Sequence, residues 1–522
     1  MSIKAIPYRD HLIVPADNRI TVMVPHAKVF EHNGQQMMLV PHKLDETKLL
    51  RNLGYDVKPP VMLNYSWPAP PDKPAFDAQK ITTSLITVNN RCYVLNGLGT
   101  GKTRAALYAF DYMRLTDPNM GKLLVTAPLS TLRQTWEKEV RMVFPHLSVG
   151  VLHGSKAKRL QVLDSDCDIF VINHDGVEVL EEELCARAKL FGLVVLDELS
   201  VYKNAQTKLW KATNRFVRLV PRAVGMSATP MTTGATDAYG QLKMITPEVL
   251  KGKPFSRFRE DVQKKVLQFK WINKHDAVEQ VYSLMQPAVR FTRDECYDMP
   301  PCQKVYWDAP LSDDQTRYFR EMQREDAVKS LDIKAANAAD TINKLLQISL
   351  GLLYKPNHDP HYIDCRIRLQ LLEQAVEQSD SKVIVFTPYK ASIAMLRDLL
   401  SKRWSVATIS GDVNTGERER IFTSFMHTSD PHVLVAHPQT MSHGLTLTEA
   451  STIVWWGPPG SLETYEQANG RITRAGQRHS QLIVHLVGSR LEQRIYNLLE
   501  SRANVQQCLL DMFEAQDLED LS

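Results

Sequence analysis

Between residues 75 and 245, short runs of almost uninterrupted apolar residues alternate with longer stretches of helical periodicity. The runs are Tyr93-Val94-Leu95, Leu123-Leu124-Val125-Thr126, Ile169-Phe170-Val171-Ile172 and Leu193-Val194-Val195-Leu196. A strand with one wet face alternates apolar and polar residues, so runs that are apolar throughout mark strands covered on both faces of a parallel sheet. The pattern resumes at Val383-Ile384-Val385-Phe386, His432-Val433-Leu434-Val435, Thr452-Ile453-Val454-Trp455 and Leu482-Ile483-Val484-His485. The intervening stretch, 246–360, is more basic and helical. The pattern predicts an α/β protein with two parallel-sheet units separated by a helical insert.

The first 58 residues read as a small β-rich accessory module with one helix. Ile20-Thr21-Val22-Met23-Val24 and Met37-Met38-Leu39-Val40 are strand-like, and Asn33-Gly34 between them is a hairpin signal. Asp45 is placed to cap a helix running through Leu49, Leu50 and Leu53, with Gly54 at its stop. Repeated prolines across 59–74 can continue neither a helix nor a central strand and predict a linker. The expected divisions are therefore 1–58, 59–74, a first α/β unit at 75–245, the insert at 246–360, a second unit at 361–488 and a bracing helix within 489–522. In that last stretch Leu491, Ile495, Leu498 and Leu499 recur at helical spacing.

A chain of 522 residues exceeds one core, and a formal net charge of +4 means that any nucleic-acid surface must come from local clustering. The seven cysteines are dispersed, which fits a reducing compartment and argues against a disulfide framework or a zinc site. No apolar run approaches the ~20 residues that cross a bilayer, and no signal-peptide core follows Met1. A cytoplasmic location and no membrane partner are expected.

Gly99-Thr100-Gly101-Lys102-Thr103 follows the run Tyr93-Val94-Leu95. A strand feeding a glycine loop and a helix makes an anion cradle: backbone N–H groups hold phosphates, Lys102 reaches the terminal ones, and Thr103 helps hold magnesium. The strict pattern wants glycine where Asn96 stands. Asp197-Glu198 follows another buried strand, where a magnesium-held nucleotide would sit; a solvated acidic turn is the alternative. Asp197 would hold the metal through its water shell, and Glu198 would orient or deprotonate the attacking water. Ser227-Ala228-Thr229-Pro230 ends a further apolar stretch, either bonding the Asp-Glu pair or forming a turn before proline. Arg471 and Arg474, three apart, would share a helix face and suit a developing phosphate charge.

This ordered set resembles the SWI/SNF-related helicase-like ATPases of helicase superfamily two. Phe76 to Gln79 is similar to the family's adenine-recognising glutamine motif. Ala127-Pro128-Leu129-Ser130-Thr131-Leu132, with Trp136 and Glu139, resembles the next motif, and Asp197-Glu198 with Lys203-Asn204 the second box. Gly444-Leu445-Thr446-Leu447 resembles the fifth motif. Gln467-Ala468, Arg471, Arg474, Gly476 and Gln477 match the sixth, the most family-specific of all. Ser200 stands where the family often has histidine. The short span from Pro230 to Lys382 is more like a compact bacterial or bacteriophage member than a eukaryotic remodeller.

The resemblance implies two RecA-like lobes, ATP and Mg2+ as cofactors, and an ATP-dependent DNA translocase. Nucleotide would be held by Gln79, Gly99, Thr100, Gly101, Lys102, Thr103, Arg104, Gly444 and Gln467, with metal at Thr103 and Asp197. Lys102, Asp197, Glu198, Arg471 and Arg474 would carry catalysis. Ser130, Thr131, Gly154, Ser155, Lys156, Thr387, Tyr389, Lys390 and Thr440 would face the nucleic-acid backbone, each with a loop-capping role as the alternative. Duplex or forked DNA is the expected partner, RNA remains open, and the chain is expected to be monomeric with a protein partner possible at the N-terminal module. Two other readings stand: a strand-separating DNA or RNA helicase, and a nucleotide-gated nucleic-acid-binding subunit without hydrolysis.

Lys251-Gly252-Lys253-Pro254-Phe255-Ser256-Arg257-Phe258-Arg259, continuing to Lys264, Lys265, Lys270 and Trp271, is basic with interleaved aromatics. It can track a phosphate backbone, or its aromatics can be core residues on a solvated insert. Trp455-Trp456 is expected in the second-unit core, and His443 as a loop residue that packs or caps.

Overall fold

Alternating burial in the N-terminal module produces a four-stranded antiparallel sheet of β1 (Ile6–Tyr8), β2 (His11–Pro15), β3 (Lys28–His32) and β4 (Gln35–Pro41), in the spatial order β1-β2-β4-β3. The computed structural model describes residues 3–71, 73–231, 234–266, 271–292, 295–296, 302–331, 333–441, 447–473, 477 and 479–501. Asn33 and Gly34 turn β3 into β4 with φ of 53° and 76°, the left-handed geometry that a two-residue hairpin loop demands. Leu12, Val14, Met38 and Val40 pack against Ile20 and Leu50.

Two local expectations fail here. Ile20 to Val24 is not a strand but belongs to the helix Asn18–Met23 and its cap. The Asp17 carboxylate accepts the Arg19 N–H at 2.8 Å and starts the helix. Ile20 is buried while Val22 and Met23 are 78% and 66% exposed, so strand-like alternation has nothing to pack on. The second helix, Leu44–Asn52, begins after Lys43, which leaves Asp45 inside its first turn rather than at the cap. A carboxylate there still favours the helix N-terminus.

Segment 59–74, expected as a linker, is packed against the first unit. Val61 and Tyr65 are buried in its core. The Tyr65 hydroxyl donates to Asp111 at 2.5 Å, and the Tyr108 hydroxyl to the Pro68 carbonyl at 2.8 Å. Proline bars regular structure, but not burial.

The chain divides into two units, 1–297 and 298–522. The first holds a seven-stranded sheet of β5 (Arg91–Val94), β6 (Lys122–Ala127), β7 (Val149–Leu152), β8 (Ile169–Asn173), β9 (Phe191–Asp197), β10 (Arg222–Met226) and β11 (Ala288–Val289). The order is β11-β5-β10-β9-β6-β8-β7, and every pairing is parallel. Separate apolar cores cover its two faces: Leu124, Ile172 and Val194 point into one, Val125, Val171 and Val195 into the other. That double burial is why these strands read as unbroken apolar runs. The division lies inside the stretch expected as an insert, whose first part supplies β11 to the edge of this sheet.

The second unit holds a six-stranded parallel sheet of β12 (Cys302–Asp308), β13 (Lys382–Phe386), β14 (Val406–Ile409), β15 (Val433–Ala436), β16 (Ala450–Trp455) and β17 (Gln481–Val487), ordered β12-β17-β16-β13-β15-β14. The two sheets are those of the two expected RecA-like lobes. Trp455 and Trp456 are fully buried, and the Trp456 indole donates to the Leu350 carbonyl at 3.1 Å. Both are core, as expected.

Ser489 caps the closing helix Arg490–Glu500, which buries Leu491, Ile495 and Leu499. Its Glu492 carboxylate accepts from Arg368 at 2.8 Å and from the Gly488 N–H at 2.9 Å. The continuation toward Phe513 lies outside the described residues. Among the described residues no helix is long and apolar enough to cross a membrane.

His485 on β17 sits inside this core. Its Nδ1 faces the Val305 carbonyl at 3.2 Å, so Nδ1 carries the proton and Nε2 accepts from the Tyr465 hydroxyl at 2.8 Å. Tyr306 stacks on the ring with centroids 4.6 Å apart. Burial pushes its pKa down to about 4. The unfolded chain therefore takes up a proton near pH ~6.5 that the folded form refuses until about pH 4. Stability of the second unit should be full above the unfolded value and fall by roughly 1.4 kcal/mol per pH unit below it, until the folded group titrates. Urea unfolding at stepped pH should show this slope, and His485→Gln should flatten it.

Candidate active site

The chain leaves β5 through Leu95 and Asn96 into a loop in which Gly99 and Gly101 have φ of 77° and 73°. Gly101 then starts the helix Lys102–Thr116, whose first N–H groups open onto the loop. Glycine is required at 101 twice over: by the left-handed backbone, and because a Cβ would lie 2.2 Å from Gln79 Nε2. Gln79 is 2% exposed; it accepts the Phe76 N–H at 3.2 Å and donates to the Gly101 carbonyl at 3.4 Å. Thr100 is buried and donates to the Gly97 carbonyl at 2.8 Å. Lys102 Nζ lies over the loop, donating to the carbonyls of Asn96 and Gly97 at 2.8 and 2.9 Å. Thr103 is half-buried in the first helical turn.

Asn96 now has a physical reason. Its Nδ2 donates to Thr82 Oγ1 at 2.9 Å, and its Oδ1 accepts the Phe291 N–H at 2.9 Å. One side chain thus joins the helix Asp77–Val88 to the segment beyond β11, which glycine would not do. Arg104, assigned to nucleotide by resemblance, is otherwise engaged: it pairs with Glu139 and donates to the Lys73 carbonyl at 2.9 Å. Its guanidinium fastens the proline-rich segment to the helix Lys138–Val143.

Asp197 ends β9, and Glu198 follows with φ 57° and ψ 59°. That left-handed conformation is strained for a residue with a side chain and is typical of functional turns. Asp197 Oδ2 accepts the Trp136 indole N–H at 3.0 Å. Trp136 itself is fully buried in a π-helical turn, Leu132–Glu137, a geometry frequent at functional sites. Burial pushes the Asp197 carboxyl above its ordinary value, while the Trp136 bond and the nearby Lys102 charge pull it back. Lys102 and Asp197 are thus neighbours in one electrostatic site. Ser227 follows β10, and its hydroxyl accepts the Thr229 N–H at 3.1 Å, which makes the local turn. Among the described residues no cluster of three His, Cys, Asp or Glu side chains forms a metal cage. A carboxylate beside a phosphate loop fits magnesium that is held jointly with substrate phosphates.

In the second unit the helix Leu462–Asn469 carries Gln467, 4% exposed, whose Nε2 donates to Glu463 at 3.2 Å. Arg471 is not on that helix, contrary to the shared-face expectation: Gly470 caps it, and Arg471 lies in the turn beyond, 1% exposed. The turn is pinned by contacts that sequence spacing does not reveal. The Trp455 indole donates to Asn469 Oδ1 at 2.9 Å, the Leu447 N–H to the Arg471 carbonyl at 3.0 Å, and Gln477 Nε2 to the Ala450 carbonyl at 2.8 Å. Arg474, Gly444, His443 and Gly476 lie outside the described residues.

The expected nucleic-acid contacts divide by burial. Ser130 is exposed, as is Gly154 with φ 102°. Ser155 caps the helix Lys156–Leu163, and Lys156 pairs with Glu183 at 2.8 Å. Thr131 and Thr387 are 6% and 0% exposed, and the Thr131 hydroxyl donates to the Pro128 carbonyl at 2.8 Å. Tyr389 donates to Asn343 Oδ1 at 2.7 Å, Lys390 pairs with Asp412 at 2.7 Å, and Thr440 donates to the His437 carbonyl at 2.7 Å.

A model of the SNF2-related domain matches residues 82–360, and one of the helicase conserved C-terminal domain matches residues 367–476. The chain is 25% identical over 456 residues to a putative protein of Acyrthosiphon pisum secondary endosymbiont phage 1, covering 81% of this chain and 94% of that one. It is 23% identical over 446 residues to the chromodomain-helicase-DNA-binding protein 1-like of Danio rerio, covering 80% of this chain and 42% of that one. The chain thus spans nearly all of the phage relative but less than half of the fish protein. A solved Sulfolobus solfataricus SWI2/SNF2 ATPase core in complex with dsDNA aligns over 86% of this chain and 94% of its own, at 19% identity and a TM-score of 0.40.

The Trp136–Asp197 bond favours the ionised carboxylate, so its loss moves the Asp197 pKa upward. Trp136→Phe should therefore shift the acid limb of ATP turnover to higher pH and leave the alkaline limb in place. A pH profile of kcat/KM for both proteins measures this.

Proposed function

The chain belongs to the SNF2-related family, and on that basis we propose that it is a DNA-stimulated ATPase that moves along duplex or forked DNA. The observation that carries this reading is the adjacency, in one unit, of a phosphate loop with Lys102 and a strand-end carboxylate pair, Asp197 and Glu198. A nucleotide-gated subunit without hydrolysis would have no use for Glu198 in a strained conformation at the end of β9.

In the proposed mechanism the backbone N–H groups of residues 99–103 cradle the phosphates, and Gln79, held on Gly101, reads the adenine edge. Lys102 exchanges its two loop carbonyls for phosphate oxygens. Thr103 and Asp197 would hold magnesium, which would supply charge neutralisation at the terminal phosphates. Glu198 orients the attacking water and takes its proton. Arg471 and Arg474 of the second unit meet the charge that develops on the transferred phosphoryl group. ATP favours one arrangement of the two units and its hydrolysis another, and DNA bound to both is stepped along by that change in populations. DNA is preferred to RNA as the substrate because a relative carries DNA binding in its name.

Lys102→Ala should lower turnover by on the order of 10³ or more, and Arg474→Ala similarly, while Arg474→Ala keeps most ATP affinity. ATPase rates measured without polymer and with single-stranded, duplex and forked DNA or RNA test the reading. Stimulation by RNA alone, or normal turnover in either variant, would overturn it.

A further inference from the structure

The basic, aromatic-rich stretch after residue 250 separates into three kinds of residue. Phe258 and Val262 on the helix Phe255–Val262 are core, and Phe255 packs edge-on against Tyr239 with centroids 5.3 Å apart. Lys253 and Arg257 are neutralised locally, by Asp261 and by Glu260 at 3.6 Å. Three groups are left on one side of a small antiparallel hairpin, Gln263–Lys265 with Trp271–Asn273.

Lys265 is directly opposite Trp271 in the ladder, so both side chains leave the same face. The Arg259 guanidinium stacks over the Trp271 ring at 4.3 Å. Its Nε donates to Gln263 Oε1 at 3.2 Å, and Gln263 in turn donates to Asn273 at 2.9 Å. A guanidinium held over an indole and tethered through Nε has little rotamer freedom left to lose on binding. Lys265 is exposed, and neither cation has an ion-pair partner among the described residues.

We propose that the Arg259–Trp271 stack and Lys265 form an accessory clamp for the phosphate backbone of duplex DNA, separate from the loops expected to contact it by family resemblance. Two cations on a rigid platform, with their acidic neighbours already committed elsewhere, suit consecutive phosphates and carry no base readout. The clamp rests on the proposed DNA-dependent activity and adds to it a grip on the first unit that does not touch the nucleotide site.

The test is equilibrium binding of a 40-bp duplex at several salt concentrations, for the wild type, Arg259→Gln/Lys265→Gln and the charge-preserving Arg259→Lys/Lys265→Arg. Each phosphate contact contributes a slope of about −0.9 to log affinity against log salt, so the neutral variant should lose about two units of slope and bind on the order of 10-fold more weakly near 0.1 M salt. The charge-preserving variant should keep the slope, and ATP turnover without DNA should be unchanged in both. An unaltered slope in the neutral variant, with or without weaker binding, overturns the clamp while leaving the DNA-stimulated ATPase intact. A wild type that binds no duplex overturns both, and stronger retention on polyglutamate than on DNA assigns the patch to an acidic protein instead.

Discussion

The first unit's site is arranged around the contact between the Gln79 amide and the backbone of Gly101. With no Cβ at 101, the helix Asp77–Val88 lies directly against the start of the helix Lys102–Thr116. Thr83 reinforces this by donating to the Ala105 carbonyl at 3.0 Å, and Asn96 by reaching Thr82. The group expected at the adenine and those expected at the phosphates are thereby parts of one rigid body. Nucleotide recognition then needs little rearrangement of the groups that bind it, which lowers the ordering cost of binding. Asn96 is no defect in the phosphate loop, since it supplies a tie that the first glycine of the strict pattern lacks.

The two sheets were legible because parallel strands buried on both faces leave an unmistakable apolar signature. Val383 to Phe386 and Leu193 to Leu196 need no partner to be recognised. Local errors arose where a short apolar run had no sheet to join, as at Ile20 to Val24, whose fate was decided by the Asp17 cap. The Arg471 turn was misread because Gly470 ends the helix just short of it. Least legible were the contacts that complete the candidate site: Trp136 with Asp197, Trp455 with Asn469, and Asn96 with Phe291. Each joins residues brought together by the sheets alone, so no spacing rule could have found them. Trp136 offered a partial signal, as a tryptophan close behind a recognisable motif.

Charge was the poorest guide. Lys156 and Lys390 are the kind of residue that a basic loop offers to phosphate, yet each lies against a carboxylate in the structure. The stretch after residue 250 looks uniformly cationic, although Lys253 and Arg257 are paired with acidic residues of the helix Phe255–Val262. What distinguishes Arg259 and Lys265 is their shared face with Trp271, which depends on the hairpin register. Only the fold decides which charges are available.

The order of strands in the second sheet bears on how the chain is made. β12, the first strand of that unit to be synthesised, has only β17 beside it, and β17 is the last. On the ribosome, Cys302 to Asp308 must therefore wait with both edges unpaired until almost the whole unit has emerged. The first sheet closes earlier, when Ala288 and Val289 add to its edge. Pairing of β12 is thus delayed until β17 has been made, although β13 to β16 can pair with one another before it, and β12 is exposed to wrong pairing during that interval.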